Sequence, residues 1–504
     1  MDFSYKTCSL TILLFAIIPT QINAQADWKS KLEGFIVSGM DSWSVPGLSI
    51  AIVSNEEILF IKGYGLADIN MKEAVTPETV FPVGSLTKTF TSAAIGLLVD
   101  EKGLNWDDPI KDHIPNFHVQ DEDIVHRVTV RDLLTHRTGL ANHNLIWFAG
   151  RYDREHINSS VSFFGLQNGF RSRFEYNNII YAYSAELIRQ KKNISWDEFV
   201  ANELFDPLNM DASSTNFEGL QNAVNKATGY ILSGGNIKEI PYRSLDNIGP
   251  SGSINSSARD LAKWVILHLN KGEFDDRKLL DPGTISEMHN PQMVIPRQEV
   301  TLFFPKAKFT HYGLGWFVHD YKNEVVVEHS GNIDGMSAHI AMLPNRNIGV
   351  AILTNLNANF LPFAVKNKIF DIVLEESEFD WNRAFQQSFD GFMKMRDQFF
   401  NTPLSVENEL LPSLNLRNYA GLYHSKSGES IEITLREENL ILRYGKSSGV
   451  LEHKNFNTFL VEWEDPMIKE AFGPAMLTFE LTKSGVIDKL NADGIGAFQK
   501  IGND

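Results

Sequence analysis

Ser85 and Lys88 stand three residues apart at the front of an apolar helical run, Phe90 to Val99. Residues at i and i+3 share one face of a helix, about one turn apart. That spacing brings an amine within reach of a hydroxyl, which is enough to activate a serine nucleophile without a histidine triad. A serine in the first turn also feels the positive end of the helix dipole, which favours the negative charge of an attacking oxygen. The run closes at Glu101-Lys102-Gly103, where Gly103 is expected to stop the helix. A helix cap followed by a solvated lysine would have the same spelling.

Two further groups hold residue types that complete such chemistry. Tyr176 and Asn178 lie in Phe174-Glu175-Tyr176-Asn177-Asn178, and from a tight loop both can point into one cleft. A tyrosine can relay a proton between nucleophile and leaving group, and an asparagine can hold a substrate amide. A buried tyrosine and a turn asparagine are the structural alternative. Glu328-His329-Ser330-Gly331-Asn332 closes a strong strand pattern. A strand that ends in Ser-Gly lets a substrate backbone lie beside it. A backbone N–H there, with that of Ser85, makes two donors for an oxyanion. A plain strand-to-loop turn with a surface histidine is the alternative here.

Other chemistries have less support. There is no G-x-S-x-G elbow, although Gly249-Pro250-Ser251-Gly252 comes near it, and neither H-E-x-x-H nor a phosphate-cradling glycine loop occurs. The 14 histidines are scattered, so no metal or other cofactor is expected, and His136 is read as structural.

These residues need a frame. Leu48–Val53 and Ile58–Gly63 read as a hairpin, and helical patterns dominate from Ser85 to about Leu269. A second β-rich block follows in Tyr312–Val318, Glu324–Glu328, Ala338–Leu343 and Ile348–Leu353, the last two joined by the turn Pro344-Asn345-Arg346-Asn347. Both blocks are expected in one antiparallel sheet, with the helices between them as a second lobe and the cleft where the two meet. Residues 380–411 read as a charged helical connector rich in aromatics. Short alternating runs from Leu416 onward read as a small all-β barrel or sandwich, residues 413–504. The aromatics around Trp147, Phe148, Tyr152, Phe163, Phe164 and Phe170 either pack the lobe or roof the cleft.

The 504 residues carry a formal net charge of −17 with no basic stretch, which argues against a nucleic-acid partner. Lys6, the apolar Leu10–Ile18 and Ile22-Asn23-Ala24 read as a cleaved secretory leader, residues 1–24. The one cysteine, Cys8, lies inside it, so the mature chain is expected to hold none. No later run is long enough to span a membrane. A periplasmic or secreted protein is expected.

In this order, Ser85-x-x-Lys88, Tyr176-x-Asn178 and His329-Ser330-Gly331 resemble the serine β-lactamase and penicillin-binding-protein superfamily, in its class C β-lactamase, DD-peptidase and esterase branch. Leu133–Leu140 and Leu204–Met210 are similar to further stretches of that group. The resemblance runs over roughly residues 30–370, and the C-terminal part resembles the lipocalin-like barrel behind some members. It implies an α+β fold with a hydrolase domain at 25–375, a connector at 376–412 and the barrel at 413–504. It also implies two-step acyl transfer without a cofactor. Ser85 would attack, Lys88 would act as base or assist, and Tyr176 would shuttle the proton. Asn178 would orient the substrate amide, and the N–H groups of Ser85 and Asn332 would hold the oxyanion. His329, Ser330 and Gly331 stand where β-lactamases carry Lys-Thr-Gly. A histidine is mostly neutral near pH 7, so a peptide with a D-residue, an amide or an ester is the expected substrate ahead of a β-lactam. A β-lactamase, or a penicillin-binding or peptide-sensing module without turnover, is the alternative. The oligomeric state is left open.

Overall fold

The structure is a computed structural model that describes residues 26–149, 152–376, 379–401 and 411–501. The leader-like residues 1–24, with Cys8, lie outside the described residues.

Nine strands form an antiparallel sheet: β1 (Gly47–Ser54), β2 (Ile58–Asp68), β3 (Glu73–Ala74), β4 (Met293–Val294), β5 (Thr310–Tyr312), β6 (Phe317–Tyr321), β7 (Glu324–Ile333), β8 (Met336–Leu343) and β9 (Ile348–Thr354). The spatial order is β4-β5-β6-β7-β8-β9-β1-β2-β3. The two β blocks of the sequence therefore meet where β1 pairs with β9, Leu48 opposite Thr354 and Ser54 opposite Ile348. Side chains alternate between the faces of a strand. Ile50, Ile52, Val350 and Ile352 pack with Leu361 and Val365, whereas Ala51, Val53, Ala351 and Leu353 join the core of the helical lobe. Helices α1 (Ala26–Trp43), α3 (Leu361–Val373) and α4 (Trp381–Asn401) lie on the first side, and α2 (Thr87–Asp100) crosses the lobe on the other.

Three local readings change. The run Tyr312–Val318 is broken, because Gly315 takes φ +80 and turns the chain between β5 and β6. Strand β7 does not end at Glu328 but continues to Ile333, since His329 to Ile333 keep pairing with β8. At the end of α2 the left-handed residue is Lys102, at φ +61, rather than Gly103. Within the helical stretch, Gly229–Ser233 and Asn236–Ile240 form a hairpin turned by Gly234 and Gly235, both at positive φ.

The C-terminal part is a closed barrel of eight antiparallel strands, Gly421–Ser425 to Gly496–Lys500. It is filled by its own side chains: Tyr419 packs edge-on to Phe459 and Phe479, each at 5.0 Å. Its one helix, α5 (Pro466–Phe472), docks on the lobe, where Phe472 meets Phe148 at 5.0 Å. Arg243 ties the two parts together through Asp334 at 2.6 Å and Asp465 at 3.2 Å. Trp147 and Phe148 are thus buried beside the barrel, while Phe163 is 46% exposed. Among the described residues no helix is long and apolar enough to cross a membrane.

Candidate active site

Ser85 sits in a 3₁₀ turn, Gly84–Leu86, that leads directly into α2. The turn depends on Gly84 at φ +55, a left-handed conformation that glycine adopts without strain. Lys88 follows in the first turn of α2 and is fully buried. Its Nζ lies 3.2 Å from Ser85 Oγ, 2.8 Å from Asn178 Oδ1 and 2.8 Å from the Ser251 carbonyl oxygen. It also stands 4.8 Å from the centre of the Tyr176 ring. Burial holds the Lys88 amine well below its ordinary pKa of 10.5.

That geometry bears on the protonation state. The Asn178 oxygen and the Ser251 carbonyl can only accept, so each takes one N–H of Lys88. The third direction faces Ser85. An ammonium would place a proton there, and a neutral amine its lone pair. Burial favours the neutral amine, whose lone pair then faces the Ser85 hydroxyl.

Tyr176 is held from behind. Asn142 Nδ2 donates to the Tyr176 carbonyl at 2.6 Å, and the Asn177 N–H donates to His136 Nδ1 at 3.1 Å. The Asn177 side chain caps the next helix, Asn178–Tyr183, by accepting from the Ile180 N–H at 3.1 Å. The His136 ring packs on the Tyr176 ring at 4.1 Å. Burial raises the Tyr176 pKa, opposed by its hydrogen bond with Ser85, so the phenol keeps its proton at neutral pH.

Strand β7 passes in front of this group. Gly331 rests against the backbone of Val83 and Ser85, and the Gly84 α-carbon lies against the Asn332 backbone. Asn332 is fixed by its Oδ1, which accepts from Ser337 Oγ at 2.9 Å and from the Ala358 N–H at 2.8 Å. His329 is 1% exposed and turned inward. Its Nδ1 lies 2.6 Å from the Ser330 carbonyl, which can only accept, so Nδ1 carries the proton. Nε2 then accepts from the Tyr312 hydroxyl at 3.0 Å. Burial pushes the His329 pKa down to about 3. The ring is neutral, and both its nitrogens are engaged within the protein.

The structure therefore gathers Ser85, Lys88, Tyr176, Asn178, Gly331 and Asn332 around one cleft, with Ser330 partly exposed on the same strand. It adds Ser251, whose carbonyl holds Lys88 and whose Oγ donates to the Asn178 carbonyl at 2.6 Å. In the sequence, Gly249-Pro250-Ser251-Gly252 signals only a near miss to a nucleophile elbow. It adds Tyr181 too, whose hydroxyl donates to the Lys88 carbonyl at 2.8 Å.

The beta-lactamase family model matches residues 32–370, and a domain of unknown function, DUF3471, matches residues 407–500. An unguisins hydrolase of Aspergillus campestris is 27% identical over 80% of this chain and 77% of its own. The octameric penicillin-binding protein homologue from Pyrococcus abyssi superposes with a TM-score of 0.59 at 22% identity, over 94% of this chain and 100% of that one. The D-amino acid amidase from Ochrobactrum anthropi gives 0.57 at 21% identity, over 69% of this chain and 98% of that one. A buried lysine beside a serine on the first turn of a lobe helix, faced by a sheet strand, and a family match over most of the chain lead to one conclusion: the protein is a serine hydrolase of the beta-lactamase family.

Proposed function

We propose that the chain hydrolyses an amide or ester, best a peptide that contains a D-residue, through an acyl-enzyme on Ser85. The observation that carries this is the placing of Lys88 Nζ between Ser85 Oγ, Asn178 Oδ1 and the Ser251 carbonyl. Lys88, neutral by burial, takes the Ser85 proton as Oγ bonds to the substrate carbonyl carbon. The carbonyl π electrons move onto oxygen, and the N–H groups of Ser85 and Asn332 donate hydrogen bonds to the resulting oxyanion. Tyr176 passes a proton to the leaving group as its bond to carbon breaks, and regains one through Lys88. Water then attacks the ester, and the same groups return the proton to Ser85. Asn178, with its oxygen on Lys88, keeps its NH₂ for the substrate amide. His329 supports β7 from beneath, and Ser330 faces the substrate.

A neutral His329 leaves no cation there for a substrate carboxylate, which supports a peptide, amide or ester ahead of a β-lactam. The named activity of the amidase and hydrolase relatives points the same way. Residues 25–375 form the hydrolase unit in this reading, 376–412 the connector, and 413–504 a lipocalin-like barrel that supplies no acyl-transfer residue. The leader-like residues 1–24 imply export to the periplasm or the medium.

The test is covalent labelling with a fluorescent penicillin or fluorophosphonate. Labelling is expected on Ser85 and absent in Ser85→Ala; labelling that survives that change sinks the assignment. A burst without later turnover across a broad peptide and ester panel would instead identify a binding module.

A further inference from the structure

A groove of about 510 Å³ opens beside β7, and the backbone of Ser330, Gly331 and Asn332 forms part of its floor. The same Gly331 abuts the Ser85 turn on its other side, where a methyl on it would come 3.0 Å from the Ser85 nitrogen. Gly331 is therefore shared between the groove and the Ser85 turn, one on each side of it. Its walls are aromatic and come from parts of the chain beyond the sheet and lobe.

Helix α4 supplies one wall. Trp381 and Phe385 are buried in the core under α3, each 1% exposed. The stripe then continues at helical spacing through Phe389, Phe392 and Met393, but these line the groove instead. Phe392 is 46% exposed, and Phe303, which also lines the groove, is 37% exposed. Large apolar groups gathered in a concave wall along the strand that meets the Ser85 turn gain by being covered. The barrel helix α5 closes the far end with Glu470, whose Oε1 accepts from Asn357 Nδ2 at 2.7 Å and whose carbonyl accepts from Arg396 at 3.4 Å. That end is engaged within the protein, so the free surface of the groove is mainly apolar.

We propose that this groove receives a large apolar side chain or acyl chain of the substrate, so that α4, with α5 behind it, sets specificity. The proposal rests on the reading that Ser85 is the nucleophile. It gives the connector and the barrel helix a part in substrate choice without a part in acyl transfer. A chain that fills the groove should gain on the order of tenfold or more in rate over one that does not.

The experiment uses the full chain and two fluorophosphonates that differ only in their alkyl group, ethyl against decyl. Rate constants for labelling Ser85 are measured in the unaltered protein, in Phe392→Asp and in Met393→Lys, with a thermal melt for each; Phe392→Leu serves as the conservative control. The decyl probe is expected to react about tenfold faster or more. Either charge is expected to bring the ratio toward one, and leucine to keep it. Equal rates for the two probes in the unaltered protein overturn the groove as a subsite. So does a preference that both charged variants retain. If neither probe labels the unaltered protein, the nucleophile reading itself falls, and the proposal with it.

Discussion

Gly331 lies against the carbonyl of Val83 so closely that a methyl group on it would overlap the Val83 oxygen. The neighbouring contact is also backbone to backbone: a methyl on Gly84 would come 3.2 Å from the Asn332 nitrogen. The Ser85 turn and β7 thus meet main chain against main chain at these two glycines. Gly331→Ala is expected to push the two apart and to cost about 10²-fold or more in kcat/KM, the scale of a displacement of about 1 Å at a reacting group. Steady-state rates beside a thermal melt check this, and a folded variant with unchanged rate would show that the contact yields.

Lys88 should govern the acid limb of the rate. Burial holds its pKa well below 10.5, so activity rises with pH as the amine loses its proton, with an apparent pKa far below that of a free lysine. Lys88→Arg keeps a permanent charge and is expected to abolish acylation. Lys88→Ala should cost several orders of magnitude, and Ser85→Ala on top of it little more, since residues that act as one unit fail together. Burial also has a cost in stability. The unfolded chain keeps this proton up to about 10.5 whereas the native state has lost it, so the penalty shrinks as pH rises toward that value.

Acid should destabilise the fold through its buried histidines. His329 is held down to about 3, and burial lowers His136, His268 and His339 as well. From the ordinary value of 6.5 downward the unfolded chain binds protons that the native state does not. Stability therefore falls as pH falls, at up to about 1.4 kcal/mol per pH unit for each such group. Denaturant melts at a series of pH values from 7 to about 4 test it, and a flat profile would contradict the neutral histidines.

A substrate carboxylate should gain little. With His329 neutral and bonded to Tyr312, a D-residue substrate ending in a free acid and its carboxamide are expected to differ by less than about fivefold in kcat/KM. Nitrocefin should be turned over more slowly than the best peptide or ester. A strong preference for the acid would mean that another cation reaches the site.

Arg243 should matter for the docking of the barrel. Its guanidinium bonds Asp334, Asp465 and the Phe148 carbonyl, and lies 4.1 Å over the Phe148 ring. Asp334 is buried, and removing its partner leaves that charge uncompensated. Arg243→Ala is expected to cost about 3 kcal/mol and to expose the junction to limited proteolysis. Unaltered protease resistance would place the strength of the junction in its apolar contacts.

The sequence by itself determined what depends on short spacing. Ser85 and Lys88 meet because both lie within one turn of chain. The strand patterns at Leu48–Val53 and Ile348–Leu353 place both β blocks in one sheet, and the alternating runs after Leu416 give a small all-β part, which the fold pairs and closes as a barrel. It also carried the change from lysine to His329. Tertiary structure alone decided the rest. The Ser251 carbonyl reaches Lys88 across 163 positions, and Asn178 across 90, and such contacts leave no period in a sequence. His329 looks like a surface residue at the end of a strand, but β7 runs on to Ile333 because its backbone groups pair with β8, and that pairing turns the ring inward. The stripe on α4 reads as a connector with scattered aromatics. Only the packing of α3, the loop at Phe303 and α5 around it makes those rings the wall of a groove, since burial depends on what the fold brings from afar.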